Sequence, residues 1–455
     1  MELNPGVFKA YDIRGIYGKE MDEGTAHDIG RAFVRVLAGL RGKPAGDLRI
    51  GLGRDMRLTA PKMAAELRDG MIFEGATVVD AGMVATEMLY HLVGSRDLDG
   101  GAMVTASHNP KAYTGVKLVR EGALPLSGDA GLGEVKAAIE AGLGGAPGGG
   151  ALEEVDIWDE YRAHALGFID PSAVKPMKVV VDGGNGMGGP MIGPILEKLP
   201  LDLAEMYFEP NGEFPDHEPN PLLEENRRMI MDRVRSTGAD LGIAWDGDAD
   251  RCFFIDGSGE FCDGDFICAL LARSILAKNP GATILYDPRS SRAVPDLVAA
   301  EGGRSDLSRV GHAFFKVRMR EEHAAFGGEV SGHYYFRDFW NADSGTIPAL
   351  LMLELISKEG RTIGELMAEF RAKYFISGEI NSEVADQAAK LDEIRERYAD
   401  GEISELDGVS VDYPDWHFNV RPSNTEPLLR LNLESLVSRE DMERRRDEVL
   451  GLIRG

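Results

Sequence analysis

The stretch LGIAWDGDADR, residues 241–251, joins an apolar run directly to a cluster of charged side chains. It closes a unit that opens with KVVVDGGNG (178–186) and contains a second strand-like run, LAEMYF (203–208). Short apolar runs that alternate with helical segments predict parallel strands with helices on the faces of the sheet. The charged cluster would then lie at the carboxyl end of a strand.

Two further units of the same organisation flank this one. The first opens with RIGLGRD (49–55) and ends at TASHNP (105–110), and the third opens with TILYDPRSS (283–291) and ends at GEVSGH (328–333). Such internal self-similarity predicts three successive domains of βαβαβ type. Ligands of open α/β sheets bind at the carboxyl ends of the strands, so the three polar clusters occupy the place expected for a site.

Composition shifts and glycine-rich segments suggest the domain boundaries. GLGGAPGGG (142–150) is a linker by composition, GSGE (257–260) marks a second boundary, and a third falls near 372–376. In the C-terminal tail the alternation of strands and helices stops. The tail contains helical patterns over 387–398 and from Arg439, with strand-like runs around 409–413 and 416–420. The predicted fold class is α/β, with three similar domains of mixed, mostly parallel sheets and a smaller α+β domain around a central cleft. The predicted domains are residues 1–150, 151–257, 258–372 and 373–455.

Charge and composition exclude several classes of partner. The 455 residues include 50 basic and 76 acidic side chains, a net charge of −26, which disfavours nucleic acid and anionic lipid. No apolar run reaches the roughly 18 residues that a membrane span needs. The N-terminal segment lacks an apolar signal core, and three cysteines form no disulfide framework. We therefore expect a cytoplasmic protein with no membrane or nucleic-acid partner.

The motif DGDADR predicts a metal site. Asp246, Asp248 and Asp250 alternate over five residues, and crowded carboxylates repel one another unless a cation neutralises them. Oxygen ligands favour Mg²⁺ or Ca²⁺, but an EF-hand loop needs Gly and Glu where Arg251 and Gly257 stand. Three ligands leave coordination positions open for a phosphate oxygen, which suits Mg²⁺. The alternative is a solvated acidic turn.

The segment TASHNP places Ser107 just after a predicted strand, with His108 beside it. Pro110 cannot donate a backbone hydrogen bond and therefore prevents the strand from continuing. A serine in this position can act as a nucleophile or a phosphate carrier. The alternative is a turn in which Ser107 and Asn109 cap backbone N–H groups. The Gly-x-Ser-x-Gly pattern of many hydrolases does not occur around Ser107.

Two further polar motifs suggest contacts to a phosphorylated sugar. In GEVSGH, Glu329, Ser331 and His333 stand on alternate residues and would face the same way in an extended strand. RPSNTEP (421–427) combines an arginine with hydroxyls and backbone donors, a set that suits a phosphate monoester. The alternatives are a polar edge strand and a proline-bounded turn.

A different class of function is suggested by Gly184–Gly189, which matches GxGxxG after a strand, with Glu205 about twenty residues further on. This pattern predicts an NAD-dependent oxidoreductase. It is weak in a chain with 56 glycines, and Pro190 and Pro194 disturb the helix that should follow.

Taken together and in order, FKAYDIRG (8–15), TASHNP, DGDADR, GEVSGH and RPSNTEP resemble the α-D-phosphohexomutase family, most closely its phosphomannomutase/phosphoglucomutase branch. The resemblance covers the whole chain. It implies an isomerase that interconverts the 1-phosphate and 6-phosphate of mannose or glucose through a phosphoserine and a hexose 1,6-bisphosphate, which also acts as activator. It further implies Mg²⁺ as cofactor, hexose phosphates as the small-molecule partners, and a monomer or homodimer.

The resemblance also implies residue roles. Ser107 carries the phosphate, and the metal is held by Asp246, Asp248, Asp250 and the Ser107 phosphate. Arg251 orients the reacting groups, and the surrounding site is lined by Tyr11, Arg14, His108 and Lys117. The sugar is held by Glu329 and Ser331, with His333 in support and His312 nearby. The second phosphate is held by Arg421, Ser423, Asn424 and Thr425. Arg289 stands where relatives often have lysine, and we also expect it to contact substrate.

Three alternative functions have to be weighed against this one on the sequence alone. Phosphoglucosamine mutases share three of the motifs, but usually have GEQSGH, and glycine at the position of Asn424. The oxidoreductase suggested by Gly184–Gly189 would need no metal. A non-catalytic sugar-phosphate binder would have no use for Ser107 and three aspartates. The sequence does not decide which residue acts as the general base; the candidates are Lys117, His108 and His312.

Overall fold

Helices alternate with strands through the part of the chain that the computed structural model describes, residues 4–423 and 428–455. These residues fall into two compact units. The first unit comprises residues 4–261 and 331–360, and the second comprises 262–330 and the described residues from 361 onward.

The first sheet contains β1 (Ile13–Ile16), β2 (Arg49–Arg54), β3 (Thr77–Met83), β4 (Gly100–Val104), β5 (Tyr113–Arg120), β6 (Leu124–Pro125) and β7 (Ala151–Glu154). Its helices are α1 (Glu23–Arg41), α2 (Ala60–Phe73), α3 (Thr86–Ser95) and α4 (Gly133–Glu140). Strand β2 pairs in parallel with β3 and β4, as the repeated unit predicts. Strand β5 returns antiparallel between β4 and β1, and β7 adds to β3 at the other edge. The sheet is therefore mixed, and it continues past residue 150.

The same strand order recurs in the second repeat. Its elements are α5 (Trp158–Leu166), β8 (Met177–Asp182), α6 (Gly188–Leu196), β9 (Leu201–Met206), α7 (Glu224–Thr237), β10 (Leu241–Trp245) and β11 (Cys252–Asp256). Strand β8 pairs in parallel with β9 and β10, and β11 returns antiparallel to β10. All five residues of β10 are buried, which explains its continuous apolar sequence.

The third repeat is built in the same way. Its elements are α8 (Gly264–Lys278), β12 (Thr283–Tyr286), α9 (Ala293–Ala300), β13 (Arg304–Leu307), α10 (His312–Glu321) and β14 (Phe326–Gly328). Strand β12 pairs in parallel with β13 and β14. The segment that follows, β15 (Tyr334–Phe336), β16 (Ala342–Asp343) and α11 (Thr346–Glu359), belongs to the first unit. There Thr346 donates to Glu87 at 2.7 Å and accepts from Tyr161 at 2.6 Å.

The C-terminal part no longer alternates strands with helices, as its sequence predicts, and its strands pair antiparallel. It contains α12 (Ile363–Arg371), β17 (Phe375–Ile376), β18 (Ile380–Glu383), α13 (Gln387–Arg397), β19 (Glu402–Ser404), β20 (Val409–Asp412), β21 (Trp416–Pro422), β22 (Leu428–Ser435) and α14 (Arg439–Arg454). Strand β22 pairs with β21, β17 and β18, all antiparallel. The predicted α/β fold with a smaller α+β region is confirmed. The domain boundaries and the central cleft stay predictions.

No helix in the described ranges is both long and apolar enough to cross a membrane.

An aromatic cluster in the first unit buries the imidazole of His91. The ring centroid lies 5.3 Å from that of His164, 5.7 Å from that of Trp340 and 5.8 Å from that of Tyr161. Its Nδ1 has no hydrogen-bond partner among the residues described. Burial, helped by the nearby charge of His164, lowers the pKa of His91 to about 4, so the ring is neutral at pH 7.

This histidine should make the fold sensitive to acid. An unfolded chain takes up the proton near pH 6.5, whereas the folded chain takes it up only near pH 4, so the free energy of unfolding falls as the pH is lowered between these values. We expect His91 to account for a loss of about 1–2 kcal/mol between pH 7 and pH 5. Chemical denaturation of His91→Asn should show a smaller loss than wild type, whereas the exposed control His323→Asn should match wild type. Equal losses in all three proteins would contradict the assignment.

Candidate active site

Ser107 lies just beyond the carboxyl end of β4. Its φ of +49° is in the left-handed region, which is uncommon for a residue with a side chain and often marks a functional site. The hydroxyl of Thr105 accepts the Ser107 N–H at 2.9 Å. The Ser107 hydroxyl donates to Oδ2 of Asp246 at 3.0 Å and lies 3.0 Å from Nδ1 of His108. The predicted phosphate carrier is therefore adjacent to the predicted metal loop.

The three aspartates of DGDADR follow β10 and converge. Each is at most 1 % exposed, and one oxygen from each lies within 4.8 Å of the others. Oδ1 of Asp248 and Oδ1 of Asp250 have no hydrogen-bond donor among the described residues. Buried carboxylate oxygens without donors fit a hard divalent cation, so this group could hold Mg²⁺.

Two cationic side chains partly neutralise the aspartates. Lys117, on β5, donates to Oδ2 of Asp248 at 2.7 Å and to Oδ2 of Asp250 at 2.5 Å. Arg251 donates through Nε to Oδ2 of Asp246 at 2.9 Å. Three carboxylates and two cations leave one negative charge in the cluster. A divalent ion is therefore electrostatically acceptable there.

Burial acts on the pKa of every group in this cluster, although for Asp248 and Lys117 the neighbouring charges outweigh it. It raises the pKa of Asp250 well above its usual range, with the neighbouring charge of Asp248 adding to the effect. For Asp248 burial acts in the same direction, but the charge and hydrogen bond of Lys117, together with the Thr86 hydroxyl at 2.6 Å, lower its pKa. Burial alone would lower the pKa of Lys117, but Asp248 and Asp250 raise it well above its ordinary value. Lys117 is therefore protonated in this arrangement.

His108 behaves in the opposite way. Burial and the charges of Arg251 and Arg14 lower its pKa well below the ordinary histidine value. Arg14, on β1, donates to the side chains of Asp12 and Asn109, which ties it to the Ser107 loop. Tyr11 is half-buried just before β1. The first unit thus gathers Ser107, His108, Arg14, Lys117, Arg251 and the three aspartates.

The GEVSGH segment differs from the extended strand that we expected. Strand β14 ends at Gly328, and residues 329–333 form a turn in which Gly332 has a φ of +88°. The alternation of side chains in a strand therefore does not apply, and that expectation was wrong. Ser331 Oγ lies 3.4 Å from Nδ1 of His333, and Nε2 of His333 lies 3.7 Å from Oδ1 of Asp250. His333 is therefore a neighbour of the acidic cluster.

The second unit holds a separate group of predicted contacts. Arg289 donates to both oxygens of Asp287, at 2.9 and 2.8 Å, and its Nη2 lies 3.6 Å from Oε2 of Glu329. The same Glu329 oxygen accepts the N–H of Gly311 at 2.8 Å, and His312 begins α10 directly after it. Glu329, Arg289 and the start of α10 are thus neighbours.

The predicted phosphate loop begins at the end of β21 in the same unit. Arg421 is 8 % exposed, and Ser423 donates its N–H to the carbonyl of Leu428 at 2.8 Å. Asn424 and Thr425 lie outside the described residues.

Sequence reasoning missed the role of Arg57. Its guanidinium donates to four backbone carbonyls of one loop, those of Ser107 (2.8 Å), Asn109 (2.6 Å), Pro110 (3.0 Å) and Tyr113 (3.3 Å). Its own Nε lies 3.4 Å from the buried carboxylate of Asp55. Two charged residues, Asp55 and Arg57, just after β2 could have indicated a functional position at the end of that strand. No pattern in the sequence indicates which loop Arg57 binds.

The glycines that suggested a nucleotide site have a packing role. A Cβ at Gly186 would lie 2.6 Å from the carbonyl oxygen of Gly247, and one at Gly189 would lie 2.2 Å from that of Phe208. The backbone of this segment therefore packs directly against the DGDADR loop and the segment after β9. Close packing accounts for these glycines without a dinucleotide.

Comparison with family models matches all four parts of the chain in order. The models describe phosphoglucomutase/phosphomannomutase α/β/α domain I (residues 5–142), domain II (159–259), domain III (263–374) and the C-terminal domain (379–452). A phosphomannomutase from Salmonella montevideo is 44% identical over 99% of each chain. The chain belongs to the phosphoglucomutase/phosphomannomutase family. It is a hexose phosphate mutase, an isomerase, as the resemblance implied.

Other family members show the same full-length match. Phosphohexose mutases from Xanthomonas campestris pv. campestris are 43% identical over 99% of each chain. The crystal structure of a family protein from Burkholderia thailandensis superimposes with a TM-score of 0.89 at 31% identity, over 99% of this chain and 97% of that one. The family fold thus extends from end to end.

The contacts of Arg57 predict a catalytic rather than a binding defect. Arg57→Lys keeps the positive charge but cannot reach four carbonyls, so the Ser107 loop should loosen. We expect kcat to fall by about tenfold or more with little change in KM, because misplacement of a reacting group costs rate. Hydrogen exchange over residues 107–113 should become faster.

The matched control for this test is Arg54→Lys. Arg54 is also at the end of β2, and its guanidinium makes a single hydrogen bond among the described residues, at 3.4 Å to the Asp55 carbonyl. An Arg57→Lys enzyme with normal kcat and normal exchange would show that the loop holds its shape without the guanidinium.

Proposed function

We propose that this mutase interconverts the 1-phosphate and 6-phosphate of mannose and of glucose through a phosphorylated Ser107. The observation that carries the proposal is the 3.0 Å hydrogen bond from the Ser107 hydroxyl to Asp246, within a buried cluster of three carboxylates and two cations. A hydroxyl held against a cation-binding cluster suits phosphoryl transfer, which depends mainly on positioning and charge neutralisation.

The proposed reaction consists of two phosphoryl transfers. Phosphorylated Ser107 donates its phosphoryl group to the free hydroxyl of the bound hexose phosphate, which forms a hexose 1,6-bisphosphate. The bisphosphate turns end for end, and its other phosphate returns to the Ser107 oxygen. In that second step the serine proton has an acceptor within reach, since Nδ1 of His108 lies 3.0 Å from the hydroxyl. Added hexose 1,6-bisphosphate would activate the enzyme by phosphorylating Ser107.

Asp246, Asp248 and Asp250 would hold Mg²⁺, together with an oxygen of the phosphorylated Ser107. When bound, Mg²⁺ supplies positive charge that neutralises the transferring phosphoryl group. Arg251 holds Asp246 in place, and Arg14 and Lys117 add positive charge from β1 and β5. His108 is the better candidate than Lys117 for the general base, because its ring is neutral whereas the ammonium is held protonated by two aspartates.

Substrate recognition is proposed for the second group of residues. Glu329, with Ser331 and His312, would bind sugar hydroxyls, and His333 would support this loop. The phosphate that does not react would be held by Arg289, Arg421, Ser423, Asn424 and Thr425, with Tyr11 at the border of the reacting group. These assignments rest on the resemblance and on the contacts described above.

Mannose and glucose phosphates are preferred over glucosamine phosphate on two grounds. The full-length relative at 44% identity is a phosphomannomutase. The sequence also has Val330 and Asn424 where phosphoglucosamine mutases usually have glutamine and glycine. Activity on mannose 1-phosphate, glucose 1-phosphate and glucosamine 6-phosphate, each with a trace of hexose 1,6-bisphosphate, tests the proposal. Turnover of the glucosamine substrate alone would replace it with the runner-up, phosphoglucosamine mutase.

Loss of the phosphate carrier should stop turnover. We expect Ser107→Ala to lower kcat by at least about a thousandfold, since no other hydroxyl occupies its position against Asp246. Peptide mass spectrometry after incubation with hexose 1,6-bisphosphate should find phosphate on Ser107. Thr105→Val is the control, because Thr105 contacts the Ser107 N–H without touching the reacting oxygen. Substantial activity in Ser107→Ala would refute the phosphoserine mechanism.

Removal of divalent metal should also abolish activity. Excess EDTA should stop turnover and added Mg²⁺ should restore it, because the acidic cluster binds a cation through buried oxygens. Asp248→Asn should need a higher Mg²⁺ concentration for half-maximal activity, as it removes one charged ligand. Full activity in EDTA would show that the acidic cluster functions without metal.

A further inference from the structure

Glu379 lies among three arginines in the second unit, in the short connection between β17 and β18. Its Oε2 is 3.7 Å from Nη1 of Arg289 and 3.8 Å from Nη2 of Arg421, and its Oε1 is 3.4 Å from Nη1 of Arg430. Its side chain is 29% exposed. A single carboxylate thus faces three guanidinium groups.

The three arginines do not depend on Glu379 equally. Arg289 is already paired with both oxygens of Asp287 and lies near Glu329. Among the described residues, Arg421 and Arg430 have Glu379 as their only carboxylate within 4 Å. Their Nε atoms are buried and have no hydrogen-bond acceptor in the same part of the chain. The charge of Asp407 also acts on Arg421, but Glu379 is the carboxylate that lies between the two guanidinium groups.

The electrostatic environment of Arg421 supports this view. Burial, followed by the like charge of Arg289, lowers the pKa of Arg421, and Glu379 opposes that effect. Arg421 and Arg289 are thus two buried guanidinium groups close enough to repel each other, an arrangement that an anion between them stabilises.

The contacts of Glu379 are also long. Distances of 3.4 to 3.8 Å exceed those of good charge-assisted hydrogen bonds, which are about 2.7–2.9 Å. A phosphate monoester has three terminal oxygens and carries nearly two charges, and it pairs with guanidinium groups at the shorter distance. Phosphate would therefore displace the carboxylate at a net gain.

We propose that Glu379 takes the place of the substrate phosphate between Arg421, Arg430 and Arg289 when no substrate is bound, and that the phosphate of the substrate displaces it. The identity of this ligand as a hexose phosphate rests on the proposed function. Glu379 is then an affinity-determining residue. By competing for the arginines, it weakens phosphate binding enough for the bisphosphate to leave its first orientation and turn.

A purely structural role predicts the opposite sign. If Glu379 only held Arg421 and Arg430 in position, its removal would disorder them and weaken phosphate binding. If it competes with phosphate, its removal strengthens binding. The direction of the change in affinity therefore separates the two roles.

Calorimetric titration of the full-length protein with inorganic phosphate, and separately with glucose 1-phosphate, tests the inference at constant ionic strength. We expect Glu379→Gln to bind each ligand roughly fivefold more tightly than wild type, the amount that a partly exposed ion pair contributes. Glu379→Asp withdraws the carboxylate by one methylene and should also tighten binding, so it decides the question if the glutamine variant is unstable. Unchanged or weaker binding in both variants overturns the inference.

Two further variants calibrate the measurement. Arg421→Gln should weaken the binding of both ligands, which shows that the titration reports on this site. Glu402→Gln, an exposed glutamate on β19, should bind as wild type does. The mutase assay is a separate readout: if wild type shows no mutase activity, the proposed function fails, while the change in phosphate affinity still decides the role of Glu379.

Discussion

The structure of the first unit depends on burying three carboxylates in one loop. Asp246, Asp248 and Asp250 are almost fully removed from solvent, which is unfavourable for charged groups unless cations and donors surround them. Lys117 reaches two of the aspartates from β5, and Arg251 binds the third from within the loop. Because Lys117 comes from β5 and Arg251 from the loop that joins β10 to β11, the cluster requires the pairing of β4 with β5 and of β10 with β11.

The repeated topology places the functional residues of each repeat at the same end of its sheet. In each repeat the first strand pairs in parallel with the second and the third, so the third strand ends beside the first. Ser107 follows β4 and the aspartates follow β10, and both are therefore presented at carboxyl ends. Arg57 then fixes the Ser107 loop by its carbonyls rather than by side chains. The N–H of Ser107 is bonded to the Thr105 hydroxyl and its carbonyl to Arg57, so both backbone groups of this residue are held by side chains.

The two units use charge in different ways. In the first unit, cations are tied to aspartates by hydrogen bonds of 2.5 to 2.9 Å, which hold the three carboxylates in position. In the second unit, Glu379 faces its arginines at longer distances, so the pairing is easily exchanged for an external anion. The proposed reaction requires both behaviours. The reacting group has to be positioned firmly where a bond is broken, whereas the other phosphate has to dissociate from its arginines before the intermediate turns.

The sequence alone determined the repeated βαβαβ units, the different organisation of the tail, the acidic loop after one strand and the serine after another. These features are local: apolar runs of strand length, helical spacing, and polar residues at the point where a strand ends. Only the tertiary structure decided that GEVSGH forms a turn, that His333 neighbours Asp250, that Arg57 holds the Ser107 loop and that Glu379 faces three arginines. Each of these features depends on how the strands pair and where the chain reverses direction. A single sequence contains no periodic signal for such pairings, because residues far apart in the chain become neighbours only when the strands pair and the chain folds.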